Sequence, residues 1–561
     1  MKISISILFL VTVLLSPTLN AQTCSKTINS STPYIDGLNP AFKSIKPGDT
    51  VCLQAGNWDY IQLKNFHGTA DKPIVFINSG GTVIISTNHF VGIKIGNCSH
   101  IVFTGSGDPN AKYGFRILKV TKGAGMGIDD YSTDIEVAHV EISNTLLGGV
   151  YAKTDPTCSN LGATRGKFVM RNFSFHDNYV HNTGDEGLYI GNSHYAGLHL
   201  IQVNAAGDTT CDTTVYPHVL RGVFIYNNLV ENTGYDGIQV SSADSNCQIH
   251  DNQINFDSQA GVNNQMSGIM IGGGSVCKTY NNMISNGKGD GIDVFGMGGF
   301  NIFNNLIVDA GKYYLPNQPD MMKHGIYVGK VITTPHSVLG IYNNTIVSPK
   351  SYGIKLSNND LQTIFVKANL IVAPGKYADV GNGAYINSSS MNPAHIIKSH
   401  NYMTNNIYDV KFVNTNMGNY DLQPTSPAVN YGTDLTAEGI TFDILNRSRP
   451  FHGLFSAGAY ECHDPTVGIE QAKALDVAIF KVFPNPARNK VIILIKTTLS
   501  ESVQMMMTDM DGREVMRRFI NCKPSENNTQ RLSTAHLKSG EYLVVLFSKQ
   551  GISSQPLVIK K

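Results

Sequence analysis

Residues 277–294 read Cys277-Lys278-Thr279-Tyr280-Asn281-Asn282-Met283-Ile284-Ser285-Asn286-Gly287-Lys288-Gly289-Asp290-Gly291-Ile292-Asp293-Val294. The stretch holds an alternating apolar-polar strand that contains Asn, a tight turn, and then X-Gly-Ile-X-Val. Both halves recur. The Asn member returns at Asn178, Asn228, Asn252, Asn305 and Asn344, with Asn369 as a less regular last copy, and the Gly member returns at Gly187, Gly237, Gly268, Gly325 and Gly353. The shortest steps, Asn228 to Asn252 and Asn282 to Asn305, are 24 and 23 residues, which suits one turn of a three-stranded coil. Alternation over four or five positions means short strands with one buried face, and stacked coils of this kind bury a continuous aliphatic core. The expected architecture is a solenoid, with longer steps carrying inserted loops.

The repeated Asn has a mechanical reading: stacked amides hydrogen-bond from coil to coil and satisfy the bend between strands. A ladder needs every rung whereas catalysis needs few, so these residues are assigned to structure. Cys247 and Cys277 each lie five residues before a ladder Asn. They occupy equivalent sites on consecutive coils, ~4.8 Å apart, within disulfide reach. Cys158 with Cys211, tying a long insertion, and Cys24 with Cys52, tying the N-terminal cap, are the other expected pairs. The chain has nine cysteines, so at least one stays outside any disulfide.

Several further segments carry a resemblance. The opening Pro47-Gly48-Asp49-Thr50-Val51-Cys52-Leu53 and Gly68-Thr69-Ala70-Asp71-Lys72-Pro73-Ile74, with the repeat and the closing Tyr420-Asp421-Leu422-Gln423-Pro424 and Gly458-Ala459-Tyr460-Glu461, are similar to the right-handed parallel β-helix superfamily. That superfamily includes pectate, alginate and chondroitinase B-like lyases, polygalacturonases and surface proteins of other kinds. After Cys462 the texture changes. Val482-Phe483-Pro484-Asn485-Pro486-Ala487, the turn Asp509 to Val515, Ser539-Gly540-Glu541-Tyr542 and the basic end Lys560-Lys561 resemble the type IX secretion C-terminal sorting domain of the Bacteroidetes. The fold class expected is all-β: a right-handed parallel β-helix over 22–463, a linker over 464–478, and a small Ig-like antiparallel β-sandwich over 479–561. The resemblance implies a chain handled by the type IX secretion machinery and placed at the cell surface or released.

The N-terminus agrees with export. Met1-Lys2-Ile3, the apolar run Ile5 to Leu15 and Ala21 form the charged, greasy and cleavable parts of a signal peptide over 1–21, with the mature chain starting near Gln22. Thr23 stands before Cys24 where a lipoprotein site wants Gly or Ala, so cleavage without lipidation is expected. No later run reaches the ~20 apolar residues of a membrane span. With 43 Lys and Arg against 42 Asp and Glu, and no basic patch, a nucleic-acid partner is not expected. The partner expected is an extracellular polysaccharide, bound by a monomer.

Two columns break the structural repetition. The residue before each repeated Gly runs Glu186, Asp236, Ser267, Asp290, His324, Tyr352; the residue two after it runs Tyr189, Gln239, Met270, Asp293, Tyr327, Lys355. With Ile and Val pointing inward, the second series should project outward. Asp236, Asp290, His324 and Lys355 are the catalytic candidates. Tyr189, Gln239, Tyr327, Lys323 and the loop residues Tyr313 and Tyr314 are the sugar-contact candidates, and Asp185, Glu186 and Asp293 could recruit Ca2+. Adjacent coils separate such groups by ~5 Å, and Asp236 and Asp290, two coils apart, by ~9.5 Å. Those are the spacings of glycosidase carboxylates. Against this, Asp-Gly and Glu-Gly are good turn formers, and a column of them also serves to cap backbone N–H groups.

The resemblance to named families stops short of their motifs. No Arg lies between Arg221 and Arg447, so the Lys and Arg pair of chondroitinase B-like lyases has no place on the central coils. Gly-His-Gly of the polygalacturonases is absent, and Asp129-Asp130, Arg165-Gly166-Lys167 and Asn255-Phe256-Asp257 come in the wrong order. The expected activity is a polysaccharide lyase acting on uronic acids, placed ahead of a hydrolase with paired carboxylates. A noncatalytic adhesin or glycan-binding protein is the competing class.

Overall fold

The quoted stretch folds as one coil. Its three strands are Cys277–Tyr280, Met283–Ser285 and Asp290–Val294, and each pairs in parallel with its counterparts on the coils before and after. In the computed structural model the described residues are 23–314, 323–330, 337–375, 385–451, 453–463, 477–497, 501–509, 514–523, 526–535, 537–548 and 551–561. The expected signal peptide, most of the linker, and loop residues 315–322 lie outside them. The chain divides into two units between His463 and Asp464.

The first unit is a parallel β-helix with three stacks of strands, one of them a twelve-stranded sheet built from the X-Gly-Ile-X-Val segments. The inward residues align in columns: Ile292 lies opposite Ile269 on one side and Ile326 on the other, all with no solvent exposure. Each fully buried aliphatic side chain contributes about 1.5–3 kcal/mol, so the stacked columns supply the main driving force. The repeated glycine is a close-approach position. A Cβ at Gly291 would lie 2.5 Å from the carbonyl oxygen of Gly325 on the next coil and 2.5 Å from Ile307.

The Asn column is a continuous buried ladder. Asn282 Nδ2 donates to Asn305 Oδ1 (3.0 Å), and Asn252 Nδ2 donates in turn to Asn282 Oδ1 (3.0 Å). The same link joins Asn178, Asn228, Asn252, Asn282, Asn305, Asn344, Asn369 and one further rung, Asn401. The residue before each rung bends the chain through positive φ, 55° at Asn281 and 54° at Asp251, a conformation Asn and Asp tolerate. Beside the ladder the rings of His176, Tyr226, His250, Tyr280 and Phe303 stack coil upon coil, within 8° of parallel.

Disulfides join Cys24 to Cys52, Cys158 to Cys211 and Cys247 to Cys277. Cys247 and Cys277 are register partners, as their equivalent places in the repeat require.

The second unit is a β-sandwich. Val477–Phe483, Lys490–Thr497 and Asn528–Ser533 make a three-stranded antiparallel sheet; Glu501–Asp509, Glu514–Cys522, Gly540–Ser548 and Gly551–Ile559 make a four-stranded one. Their inner faces, with Val491, Ile493, Met505, Met507, Leu546 and Leu557, form a separate core.

Candidate functional site

Parallel register brings Tyr151, Tyr189, Gln239, Met270, Asp293, Tyr327 and Lys355 into one column on the outer face of the twelve-stranded sheet. The expected projection outward holds at its two ends. Tyr151, Tyr189, Tyr327 and Lys355 are partly exposed, whereas Gln239, Met270 and Asp293 in the middle are buried at 2%, 7% and 6% exposure. At one end the Lys153 ammonium sits 4.2 Å from the Tyr189 ring centroid, and Tyr189 meets Tyr151 edge-on. At the other, Lys355 lies 5.5 Å from the Tyr327 ring, which packs edge-on against Phe295.

The companion column caps backbone. Asp236 Oδ1 accepts from both the N–H and the hydroxyl of Ser267 on the next coil, each at 2.7 Å. Asp290 Oδ1 accepts from the His324 N–H, and His324 Nδ1 from the Tyr352 N–H at 3.3 Å. Asp290 Oδ2 also accepts from Lys323 Nζ at 3.1 Å, a salt bridge between two buried groups. Asp236, with no exposure, therefore works as an anchor between coils. The local reason is the strand entry: the carboxylate of an Asp-Gly pair faces the N–H stacked above it.

Burial sets the protonation of the group. It holds the Asp236 carboxyl well above the usual carboxylate range, with the nearby Glu186 and Asp257 adding to it against the Ser267 hydrogen bonds. Burial and then Asp290 do the same to Asp293, whose Oδ1 has no hydrogen-bond partner. Glu186 is pushed up to about 7 and Asp257 to about 6, both by burial first. Burial lowers His324 to about 4, so at neutral pH its ring is uncharged. Lys323 stays a cation because Asp290, its salt-bridge partner, offsets its burial.

The three expected calcium ligands do not converge. Asp185 and Glu186 precede the strand Leu188–Ile190, whereas Asp293 lies three strands further along the stack, ~14 Å away. Asp185 accepts the Tyr151 hydroxyl at 2.9 Å, and among the described residues no group of three metal-ligating side chains gathers. This donor set does not fit calcium.

The remaining expected contacts divide. Tyr314 lies under Lys323 and Lys350, at 5.9 and 5.1 Å, and so joins the site. Tyr313 instead stacks on Phe256 at 6.3 Å. Gln239 bonds Ser241 beneath the surface. Gln265, with its amide oriented to its neighbours, donates to Glu186 Oε1 (3.2 Å) and Asp236 Oδ2 (3.3 Å). The repeat gives no sign of Gln265, which sits in the irregular turn between coils. Tyr151 and Lys153 had a signal: Gly149-Val150-Tyr151-Ala152 is the outward motif one coil upstream of the first one counted.

Residues 481–560 match the family model described as a secretion system C-terminal sorting domain. The chain thus carries an export domain and is destined for the cell surface or beyond it. Among the described residues no helix is long and apolar enough to cross a membrane. No curated protein matches the chain. Solved structures similar to it include an alginate lyase from Paenibacillus sp. str. FPU-7, at 15% identity and TM-score 0.37, covering 68% of this chain and 99% of that one. A pectate lyase matches at 11% identity and TM-score 0.39, covering 79% and 97%. The A-module of a mannuronan C-5 epimerase from Azotobacter vinelandii matches at 14% and 0.33, covering 63% and 91%.

Proposed function

We propose that this protein is a secreted enzyme acting on acidic polysaccharides, a lyase that cleaves uronic-acid-containing chains by β-elimination on the outer face of the twelve-stranded sheet. The observation that carries the proposal is the in-register column in which phenol rings and lysine side chains flank a buried carboxyl. Tyr189 and Tyr327 offer ring faces to sugars, and Lys153 offers charge to carboxylates. Asp293, whose carboxyl burial shifts toward the protonated form, donates a hydrogen bond to the uronate carboxylate and reduces its charge, which acidifies the carbon-bound proton beside it. Lys355 serves as the base that takes that proton. The electron pair forms the double bond, the bond to the leaving oxygen breaks, and the Tyr327 phenol, kept protonated chiefly by burial, protonates that oxygen.

A hydrolase reading draws on Glu186, half-protonated near neutral pH, and Asp236. Each has an oxygen on the same Gln265 nitrogen, so the two oxygens are no more than about 6.5 Å apart. It is the less favoured reading, because Asp236 is fully buried and both its oxygens are engaged.

The test is incubation with a panel of acidic and neutral polysaccharides, following ultraviolet absorbance of unsaturated products and reducing ends together. Absorbance should rise on uronic-acid polymers and fall by roughly 100-fold or more in Tyr327→Phe and Lys355→Met. Reducing ends without absorbance would replace the lyase by the hydrolase. Binding without either product would leave a noncatalytic glycan-binding protein.

A further inference from the structure

Two insertions leave the twelve-stranded sheet at the same edge, 153–168 after Val150–Ala152 and 191–217 after Leu188–Ile190. They are tied to each other. Cys158 is bonded to Cys211, the Arg165 N–H donates to the Tyr216 carbonyl (2.7 Å), and the His218 N–H donates to the Ala163 carbonyl (3.1 Å). Between them opens a pocket of about 480 Å³ lined by Leu161, Thr164, Arg165, Lys167, Val215 and Tyr216. Paired long loops fixed this firmly at the edge of a binding face are placed to shape a ligand site.

Arg165 is the chemically distinctive group. Its guanidinium lies 3.8 Å from the Tyr195 ring centroid and 5.4 Å from that of Tyr216, and one N–H donates to the Tyr195 carbonyl at 2.7 Å. Its Nε is buried with no hydrogen-bond partner, and among the described residues no carboxylate forms a salt bridge with it. Tyr195 in turn touches Gly274, just beyond the site strand Ser267–Ile271. A cation held flat by aromatic rings, lining the pocket and left without a counter-ion, fits a carboxylate through its remaining N–H groups. Lys167 brings a second, exposed cation, and the half-exposed Tyr216 offers a ring face for a sugar.

We infer that this pocket is a remote subsite that binds a carboxylated sugar of the polymer whose backbone crosses the sheet face. The identity of the ligand rests on the acidic-polysaccharide reading; the pocket and its unpaired guanidinium do not. The pocket holds the chain in register without touching the reacting bond, so Arg165 acts on binding.

Calorimetric titration of the full chain with hexamers of galacturonate and mannuronate, and with cellohexaose as the neutral control, tests this. Arg165→Lys and Tyr216→Ala are each expected to weaken the better uronate hexamer about tenfold, to raise KM, and to keep the unfolding temperature of the parent. Tyr216 is half exposed, so its truncation leaves the fold intact even where Arg165→Lys disturbs the loops. Unchanged affinity in both variants, with Tyr327→Phe still inactive, would overturn the subsite and leave the sheet-face reading standing. Equal binding of cellohexaose would overturn the ligand class, and a parent chain that binds no uronate at all would overturn both proposals.

Discussion

At Glu186 a single carboxyl reports the environment of the site. Burial raises it to about 7 from an ordinary 4.5, so between those pH values the folded chain holds a proton that the unfolded chain has lost. The stability this group contributes is therefore complete below pH 4.5 and declines as pH rises to about 7, by on the order of 3 kcal/mol. Glu186→Gln should remove that decline: in denaturant titrations at pH 5 and pH 8, the variant's advantage over the parent grows with pH. A constant difference would mean that Glu186 is ionised throughout. The neighbouring Asp236 and Asp290 show how one residue type carries two meanings. As Asp-Gly pairs they were legible both as acids for chemistry and as turn caps, and the hydrogen bonds to Ser267 and His324 show that each caps the next coil.

Among the elements, the bend that carries Asn was the most legible, because its role repeats and every copy gives the same signal. Each rung accepts from one neighbour and donates to the next, so removing one strands groups on both sides. In Asn282→Ala the Asn252 N–H and amide lose their acceptor and Asn305 Oδ1 loses a donor. Buried groups left unpaired in this way cost about 1–3 kcal/mol each, so a loss of roughly 3 kcal/mol or more is expected in urea unfolding. Ser351→Ala, also buried but off the ladder, should cost much less. The disulfide between Cys247 and Cys277 was readable for the same reason: equivalent positions in a parallel stack lie one strand spacing apart. The irregular turns gave no such guide. Gln265 and Asp257 lie between strands where no period constrains them, and their proximity to Glu186 and Asp290 depends on how the turns fold over the sheet.

For the whole molecule, two units differ in architecture, a long parallel stack and a sandwich matching a sorting domain over 481–560. Because each unit has its own core, deleting 479–561 should leave the β-helix folded while blocking export, seen as loss of the protein from cell surface and medium and its retention within the cell envelope. Appearance of the truncated chain outside the cell would show that another signal exports it.

By itself the sequence determined what depends on local periodicity: the coil, its stacking, the Asn ladder, the in-register cysteines and the change of texture after Cys462. A parallel stack translates each position onto its equivalent in the next coil, so a pattern along the chain becomes a column in space. Only the tertiary structure decided which members of a column stay open to solvent. Burial of Asp293 beside partly exposed Tyr327 and the pocket around Arg165 both arise from insertions and turns. Those segments have no period, and their contacts are set by packing between residues far apart in the chain.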